Sequence, residues 1–237
     1  MKSIFIITCG LFTSLAVANN NNGLYLSGKI GDSIVNFNNS KVITSSPSGN
    51  GPEYHDKNEN DSVFSGSISL GYDFHEKFNI SARSELELSM REKSETQYHA
   101  YGPDEFGISA NIKNNARVNT FMFNNYYDFK NQTSFTPYIS IGLGLARVDY
   151  NRVLSTTIYT PTDVLNSSKT STINNFAWAL GAGTQYTINN NLALDVSYRF
   201  LDAGKYQISE TDLAGNKDKT ETNIRTHDIM LGLVYRF

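Results

Sequence analysis

The sequence predicts an all-β protein: an eight-stranded antiparallel up-and-down transmembrane β-barrel with four long extracellular loops. Three observations predict it. Segments of about ten residues alternate apolar and polar side chains, the connections between them alternate between short and long, and the N-terminus has the pattern of an export signal. Beyond that signal no stretch is apolar enough for a membrane helix, so an exported chain can span a membrane only as a closed barrel.

The N-terminus predicts a signal peptide over residues 1–18, followed by an outer-membrane β-barrel over 19–237. Lys2 supplies the positive charge, 4–15 is apolar, and Ala16-Val17-Ala18 is a small-residue cleavage site. A lipoprotein signal using Cys9 is the alternative, but it would leave only about half the usual apolar length before the cysteine. Cleavage at the predicted site leaves a mature chain without cysteine, and therefore without disulfide or thiol chemistry.

Period-2 alternation defines the strands, because successive side chains of a strand point to opposite faces. The predicted strands are 24–35, 64–74, 80–91, 116–129, 138–146, 174–186, 192–200 and 229–237. Two of them are less regular than the rest. Asp32 falls on the apolar face of the first, so we expect that strand to bulge or leave the bilayer there, and the phase of 116–129 is ambiguous.

The connections between the predicted strands alternate in length, which indicates orientation. Short turns lie near 75–79, 130–136 and 187–191, and long loops lie near 38–60, 92–115, 151–173 and 202–223. Outer-membrane barrels place their short turns in the periplasm and their long loops outside the cell. The pattern therefore predicts a multi-pass protein of the bacterial outer membrane with both termini in the periplasm.

The strand face opposite the apolar one mixes charged with very small residues, which suits a narrow lumen better than the solvated exterior of a soluble barrel such as a lipocalin. Charges in such a lumen must pair to offset their desolvation. The predicted lumen charge network comprises Arg83, Glu85, Glu87, Asp195 and Arg199, with Lys29 as a further candidate. A catalytic carboxylate site is the alternative reading of these residues. A conducting pore is disfavoured, because eight strands enclose little more than their own side chains.

Aromatic residues lie at the predicted strand ends, where an interfacial girdle is expected. They are Tyr72, Phe74, Tyr126, Tyr127, Phe129, Tyr186, Tyr198, Phe200 and Tyr235. The chain ends in Tyr235-Arg236-Phe237. A terminal Phe237 with the aromatic Tyr235 two residues earlier resembles the signal that the barrel assembly machinery recognises in outer-membrane proteins.

Other chemistry finds little support in the sequence. The four histidines show no metal-binding spacing, and the Gly-x-Gly pairs lie within strands and not before a helix. The formal charge of −3 gives no overall basic field for nucleic acid. We therefore expect no enzyme, no cofactor and no metal, and we expect binding function to reside in the long loops.

Several segments resemble a known family in both sequence and order. They are GLYLSGKIGDSIVNF, VFSGSISLGYDF, NNYYDFKNQTSFTPYISIGLGLARV, NNFAWALGAGTQY, LDVSYRFLDAGK and DIMLGLVYRF. They resemble the enteric adhesin/invasin family of PagN, Tia and Hek and, more distantly, the opacity proteins. The resemblance implies a barrel that promotes attachment to host cells, and sometimes entry, through receptors that include heparan sulfate proteoglycans.

The loop charges bear on that implied receptor. Acidic residues outnumber basic ones in three of the four loops, whereas a sulfated glycan favours clustered Lys and Arg. The candidate receptor contacts are Lys41, Lys57, Lys217 and Lys219. The leading hypothesis is an adhesin, expected to be a monomer, and the alternative is a small structural or opacity-family porin-like barrel without a specific receptor.

Overall fold

The computed structural model describes residues 23–46, 49–55, 59–101, 109–157, 164–211 and 217–237, so the predicted signal peptide lies outside it. The described elements are β1 Leu24–Ser46, β2 Gly49–His55, β3 Glu59–Asp73, α1 His75–Phe78, β4 Ala82–Arg91, β5 Ser94–Tyr101, β6 Ser109–Asp128, β7 Phe135–Thr157, β8 Val164–Thr187, β9 Leu192–Thr211 and β10 Lys217–Arg236. No helix in the described part of the chain is long and apolar enough to cross a membrane.

Eight of the strands form one closed antiparallel wall in the order β1-β3-β4-β6-β7-β8-β9-β10. The last strand returns to the first, from Tyr25 opposite Arg236 up to Ser45 opposite Lys217. The remaining two strands only extend the wall: β2 pairs with the far end of β1, and β5 pairs with the far end of β6. Closure leaves no free edge in the membrane-spanning part of the wall, and the predicted eight-stranded barrel is confirmed.

Side chains alternate between the lumen and the lipid-facing surface, as the apolar pattern predicts. On β7, for example, Ile139 and Leu143 are about half exposed on the outside, while Tyr138 and Ala146 are buried within. The structure also settles the ambiguous strand, because Met122 is fully buried in the lumen and Phe121 faces out. Its phase was unclear because apolar residues fill the lumen as well as the outer face at this height.

Of the two expectations for Asp32, the bulge is wrong, whereas an exit of the strand from the apolar zone near this position agrees with the rows of the wall. Asp32 pairs regularly with Ile229 on one side and Phe64 on the other, and the first register shift comes only between Asn38 and Lys41. Its side chain is exposed on the outer face. The ladder tolerates it because this is the last apolar row: the next row toward the cell exterior already contains Ser62 and His227.

The segments predicted as long loops are mostly strand. β7 and β8 stay paired without a register shift from Phe135 opposite Tyr186 to Thr157 opposite Val164, through most of the segment assigned to a loop. Outside the bilayer both faces of a hairpin are wet, so the apolar alternation that reveals a strand disappears while backbone pairing continues. The short turns lie where they were predicted, and the first contains α1.

Aromatic side chains form edge-to-face or tilted pairs at the periplasmic ends of the strands. These pairs are Tyr72–Phe74, Tyr127–Phe129, Phe135–Tyr186 and Tyr235–Phe237, with ring centroids 4.9–5.3 Å apart. Tyr126 is not part of this girdle as predicted; it is buried in the lumen, where its hydroxyl donates a hydrogen bond to Glu85.

Phe237 links the two ends of the barrel wall, because its backbone N–H donates to the carbonyl of Leu24 at 3.1 Å and its ring packs on Tyr235. We predict that Phe237→Asp lowers the yield of folded barrel several-fold, because a charge replaces an apolar ring at the interface. Phe237→Tyr, which keeps the ring, should assemble like the parent. The measurement is heat-modifiable migration of outer-membrane fractions on gels, and a normal folded band for Phe237→Asp would contradict the proposed assembly role.

Candidate functional site

The periplasmic half of the lumen is built around Arg83 and Glu85, which neighbour each other on the inner face of β4. The Arg83 guanidinium donates to both carboxylate oxygens of Asp128, at 2.8 and 3.0 Å, and stacks over the ring of Tyr126 at 4.5 Å. Glu85 accepts hydrogen bonds of 2.8 Å from the hydroxyls of Tyr25 and Tyr126. Each buried charge therefore has charged or hydroxyl partners, as burial requires.

Asp195 forms a second centre with Lys29, on the opposite wall from Glu85. The Lys29 ammonium lies 3.0 Å from the Asp195 carboxylate, and the hydroxyl of Tyr138 donates to the same group at 2.9 Å. Gln185 adds a third donor at 3.3 Å. Lys29, a further candidate from the sequence, thus takes part in the lumen contacts.

A third centre lies farther toward the cell exterior and surrounds Asp228. Its carboxylate accepts from Arg91 at 2.7 Å, from Arg199 at 2.9 Å and from the hydroxyl of Ser33 at 2.6 Å. Arg199 also contacts Glu87. The contacts join strands β1, β4, β9 and β10, so they tie the first strand to the last across the inside of the barrel.

The lumen is filled rather than open. A cavity of about 20 Å³ lies among Lys29, Glu87, Tyr138 and Arg199, which is room for about one water molecule. Above the charged centres an apolar cluster closes the barrel toward the cell exterior. It comprises Val35, Phe37, Val63, Ala116, Val118, Met122, Ala146, Val148, Ala177, Ala179, Leu201, Ala203, Tyr206 and Ile224.

Glycines make room for the tyrosine rings of the lumen. A Cβ at Gly71 would lie 2.2 Å from the ring of Tyr25, and one at Gly183 would lie 2.6 Å from the ring of Tyr138. These tyrosines bridge to Glu85 and Asp195 respectively. The small residues on the inner face thus fit large neighbours that carry the hydrogen bonds.

Sequence reasoning placed five charged residues in the lumen, and the structure brings all five into paired contacts there, though in three centres and not in one network. It left Arg91, Asp128 and Asp228 out of that set. Arg91 lies on the same face of its strand as Arg83 and Glu85, and this shared parity could have placed it in the lumen. Asp128 lies on the strand whose phase was ambiguous, and Asp228 lies one residue before the predicted start of its strand.

The candidate receptor lysines lie toward the outer end. The backbones of Lys217 and Lys219 pair with Ser45 and Ile43 of β1, next to Lys41 on the same strand. The ends of β1 and β10 therefore bring three of the four candidates close together. Lys57 lies outside the described residues, and the structure gives no side-chain position for the other three.

The outward face above the lipid zone carries a small polar group on β7 and β8. Arg147 donates to the Asp149 carboxylate at 3.2 Å, and the hydroxyl of Thr172 donates to it at 2.6 Å. The hydrogen bond from Thr172, with the nearby guanidinium of Arg147, lowers the pKa of Asp149 below its ordinary value. In the described part of the chain no cluster of His, Cys, Asp and Glu is arranged to hold a metal ion.

A closed wall, a lipid-facing apolar surface and a packed lumen define an outer-membrane β-barrel. The sequence model of the outer membrane protein beta-barrel domain matches residues 4–237. PagN of Salmonella typhimurium is 36% identical over 236 residues, which cover 94% of this chain and 93% of PagN. The chain belongs to the outer-membrane protein β-barrel family, and the predicted relationship to PagN and the predicted location in the outer membrane are confirmed.

Two further comparisons extend the relationship. A candidate adhesin of Rickettsia conorii is 27% identical over 172 residues, covering 72% of this chain and 66% of that protein. Among solved structures, the outer membrane protein OprG from Pseudomonas aeruginosa matches with a TM-score of 0.52 and 16% identity, covering 92% of this chain and 98% of OprG. At that identity the likeness to OprG shows the fold alone.

We predict that Asp228→Ala lowers the free energy of unfolding by about 3–5 kcal/mol, because it leaves Arg91 and Arg199 buried without their shared carboxylate. Asp149→Ala is the matched control. It removes a partly exposed partner of Arg147, so the loss should stay below about 1 kcal/mol. Urea unfolding in phospholipid vesicles, followed by the fluorescence of the chain's one tryptophan, Trp178, measures both. Equal losses in the two variants would contradict the role of the Asp228 centre.

We also predict that the purified chain does not conduct ions, because the apolar cluster and the charged centres fill the lumen. In planar lipid bilayers, insertion should give no open-channel steps under conditions in which a wide porin gives them. Reproducible single-channel steps would show that the lumen opens and would support the porin-like alternative.

Proposed function

We propose that this protein is an outer-membrane adhesin that attaches the bacterium to host cells through the strand hairpins above the membrane. The observation that supports this most is the contrast between the two parts of the barrel. The membrane part has a filled lumen with no room for a substrate, whereas the outer part presents long hairpins. A binding protein, and not an enzyme or a transporter, fits that distribution of surface.

The size of the external part supports the proposal further. The β7–β8 hairpin continues for ten residues beyond Arg147, which lies just above the lipid-facing Leu145. At the rise of a strand this is roughly 33 Å of paired chain outside the bilayer. Passive barrel turns need only a few residues, so this much ordered structure indicates a recognition surface. The relationship to PagN and to a candidate adhesin agrees with it.

The receptor class is part of the proposal. A sulfated glycan such as heparan sulfate would contact the ends of β1 and β10, where Lys41, Lys217 and Lys219 lie on neighbouring strands. The acidic residues among them, including Asp218 and Glu221, favour a protein receptor instead.

We predict that shortening the outer hairpins abolishes attachment while the barrel still folds, because loop length costs little closure entropy. One variant joins Phe37 to Glu59 through Asn-Gly, and a second joins Gln207 to Glu221 in the same way. Both pairs lie opposite each other in register, so a two-residue turn can close them. Attachment of a non-adherent bacterium to cultured epithelial cells is measured beside the surface level of each variant.

The matched variant joins Asn151 to Thr170, which shortens the β7–β8 hairpin at another register pair. If all three variants reach the surface and attach like the parent, the proposal that these hairpins carry attachment is wrong. Soluble heparin then separates the receptor classes. Strong inhibition that weakens at high salt supports a sulfated glycan, and unchanged attachment supports a protein receptor.

A further inference from the structure

The barrel wall splits above the membrane between β8 and β9. The two strands pair only from Thr187 opposite Ala193 to Trp178 opposite Asp202. In the part of the chain that the structure describes, positions 164–177 of β8 pair with β7 alone, and positions 205–211 of β9 pair with β10 alone. The split therefore exposes a β8 edge of 14 residues, roughly 45 Å of extended chain.

A local feature of β9 starts the split. Gly204 adopts φ +80°, and the register of β9 with β10 shifts between Asn223 and Arg225. This bulge turns β9 away from β8. The side chain of Asn175 fills the gap and donates to the carbonyls of Ala203 and Lys205 at 3.0 and 3.1 Å. It thus replaces the first missing backbone hydrogen bonds of the ladder.

The backbone groups exposed on the β8 edge follow from the pleat. Neighbouring residues of a strand direct their N–H and C=O groups to opposite sides, and β8 keeps one constant register with β7 along its whole length. The backbone groups of odd-numbered positions form hydrogen bonds toward β7. For example, the N–H of Thr187 donates to the carbonyl of Ser134. The even-numbered positions, among them Thr170 and Thr172, therefore direct their backbone groups to the open side.

This edge carries little of the usual protection against strand pairing: positions 164–177 contain no proline, keep one register with β7, and include one charged residue, Lys169. Edge strands are normally guarded by charges, prolines or bulges. The outward-facing side chains along the described upper part of the β8 edge are Ser168, Thr170, Thr172 and Asn174, all small and uncharged and all exposed. In the described part of the chain β3 and β5 likewise form no ladder, but there the Asp61 carboxylate accepts a hydrogen bond from the backbone N–H of Glu95 at 2.8 Å.

We propose that the open edge of β8 binds an extended segment of a host polypeptide, which adds to the sheet as a further strand. This inference rests on the proposed adhesin function and names the class of its receptor. A row of alternating N–H and C=O groups is matched by another extended backbone, whereas a glycan chain has no such alternation. Main-chain pairing supplies the affinity, and the flanking side chains supply the selectivity.

Two β8 edges of copies in the same membrane cannot pair with each other. Antiparallel pairing of two identical edges needs a two-fold axis perpendicular to the sheet. That axis would lie in the membrane plane and would turn one copy upside down. Copies in one outer membrane share the membrane normal, so only a copy on a facing cell could pair in this way, and the experiment separates that case.

The test removes the backbone donors while sparing the side-chain effects. Thr170→Pro/Thr172→Pro deletes two N–H groups on the open side, where proline is tolerated because β7 does not use them. Thr170→Val/Thr172→Val is the matched control: it loses the same hydroxyls, including the contact of Thr172 with Asp149, but keeps both N–H groups. Attachment to epithelial cells is measured for both at equal surface level, with and without prior trypsin treatment of the cells.

The expected result is an attachment lower by about tenfold or more for the proline variant, as two lost backbone hydrogen bonds imply. The valine variant should attach like the parent, and trypsin treatment of the cells should abolish parental attachment. Equal attachment of the proline variant and the parent overturns the edge proposal and leaves the adhesin function standing. A parent that attaches no better than the empty-vector strain contradicts the adhesin function, and the edge proposal with it.

Hydrogen exchange of the purified chain in nanodiscs tests the edge without any receptor. The amides of Thr170 and Thr172 should exchange fast, and those of Ser171 and Ile173, bonded to β7, should exchange slowly. Equal protection of both sets of amides overturns the inference. Because this measurement uses the parent chain, it tests the open edge even if the proline variant fails to fold. Clumping of expressing bacteria that only the proline variant loses would identify a second copy on a facing cell as the occupant, and that result would overturn the host segment.

Discussion

Closure of the backbone ladder is the constraint on which the rest of the structure depends. The hydrocarbon part of a membrane offers no water to unpaired N–H and C=O groups, so every strand there must pair on both sides. The pairing of β10 with β1 completes the ring, and the apolar outer face follows because lipid surrounds that ring. Above the membrane the constraint ends, because water can bond to unpaired backbone groups there. The pairing of β8 with β9 accordingly ends only at Trp178 opposite Asp202.

A ring of eight strands is narrow, and this narrowness determines what fills it. Charged groups enter the lumen only where partners meet them, as Asp228 shows with two guanidinium groups and two hydroxyls. Where the lumen lacks such charged or polar partners, apolar side chains such as Met122 and Leu201 fill it. The wall is thus a packed support, and the proposed recognition belongs to the hairpins that it carries, as on other scaffolds that bind through surface extensions.

The sequence was most informative where lipid touches the protein. Alternation such as Ile139-Ser140-Ile141 predicted strand, face and lumen charges, because one side of each strand meets hydrocarbon. It failed where both faces meet similar surroundings. Met122 and Phe121 are apolar side chains on opposite faces of one strand, so the phase of that strand could not be assigned. The upper part of β8 is rich in Ser and Thr on both faces, so no alternation indicates that it pairs with β7. Contacts between distant strands, such as Arg91 with Asp228, depend on register, which no local pattern supplies.

The Asp228 centre has a consequence for biosynthesis. Arg91 and Arg199 belong to earlier strands, whereas their common carboxylate arrives only with β10, the last strand made. A prematurely ended chain would therefore bury Arg91 without its carboxylate and leave Arg199 with Glu87 alone, besides lacking the partner of β1. Formation of a stable barrel therefore depends on a completely translated chain, because the last strand supplies both the closing backbone pairs and the carboxylate of this centre.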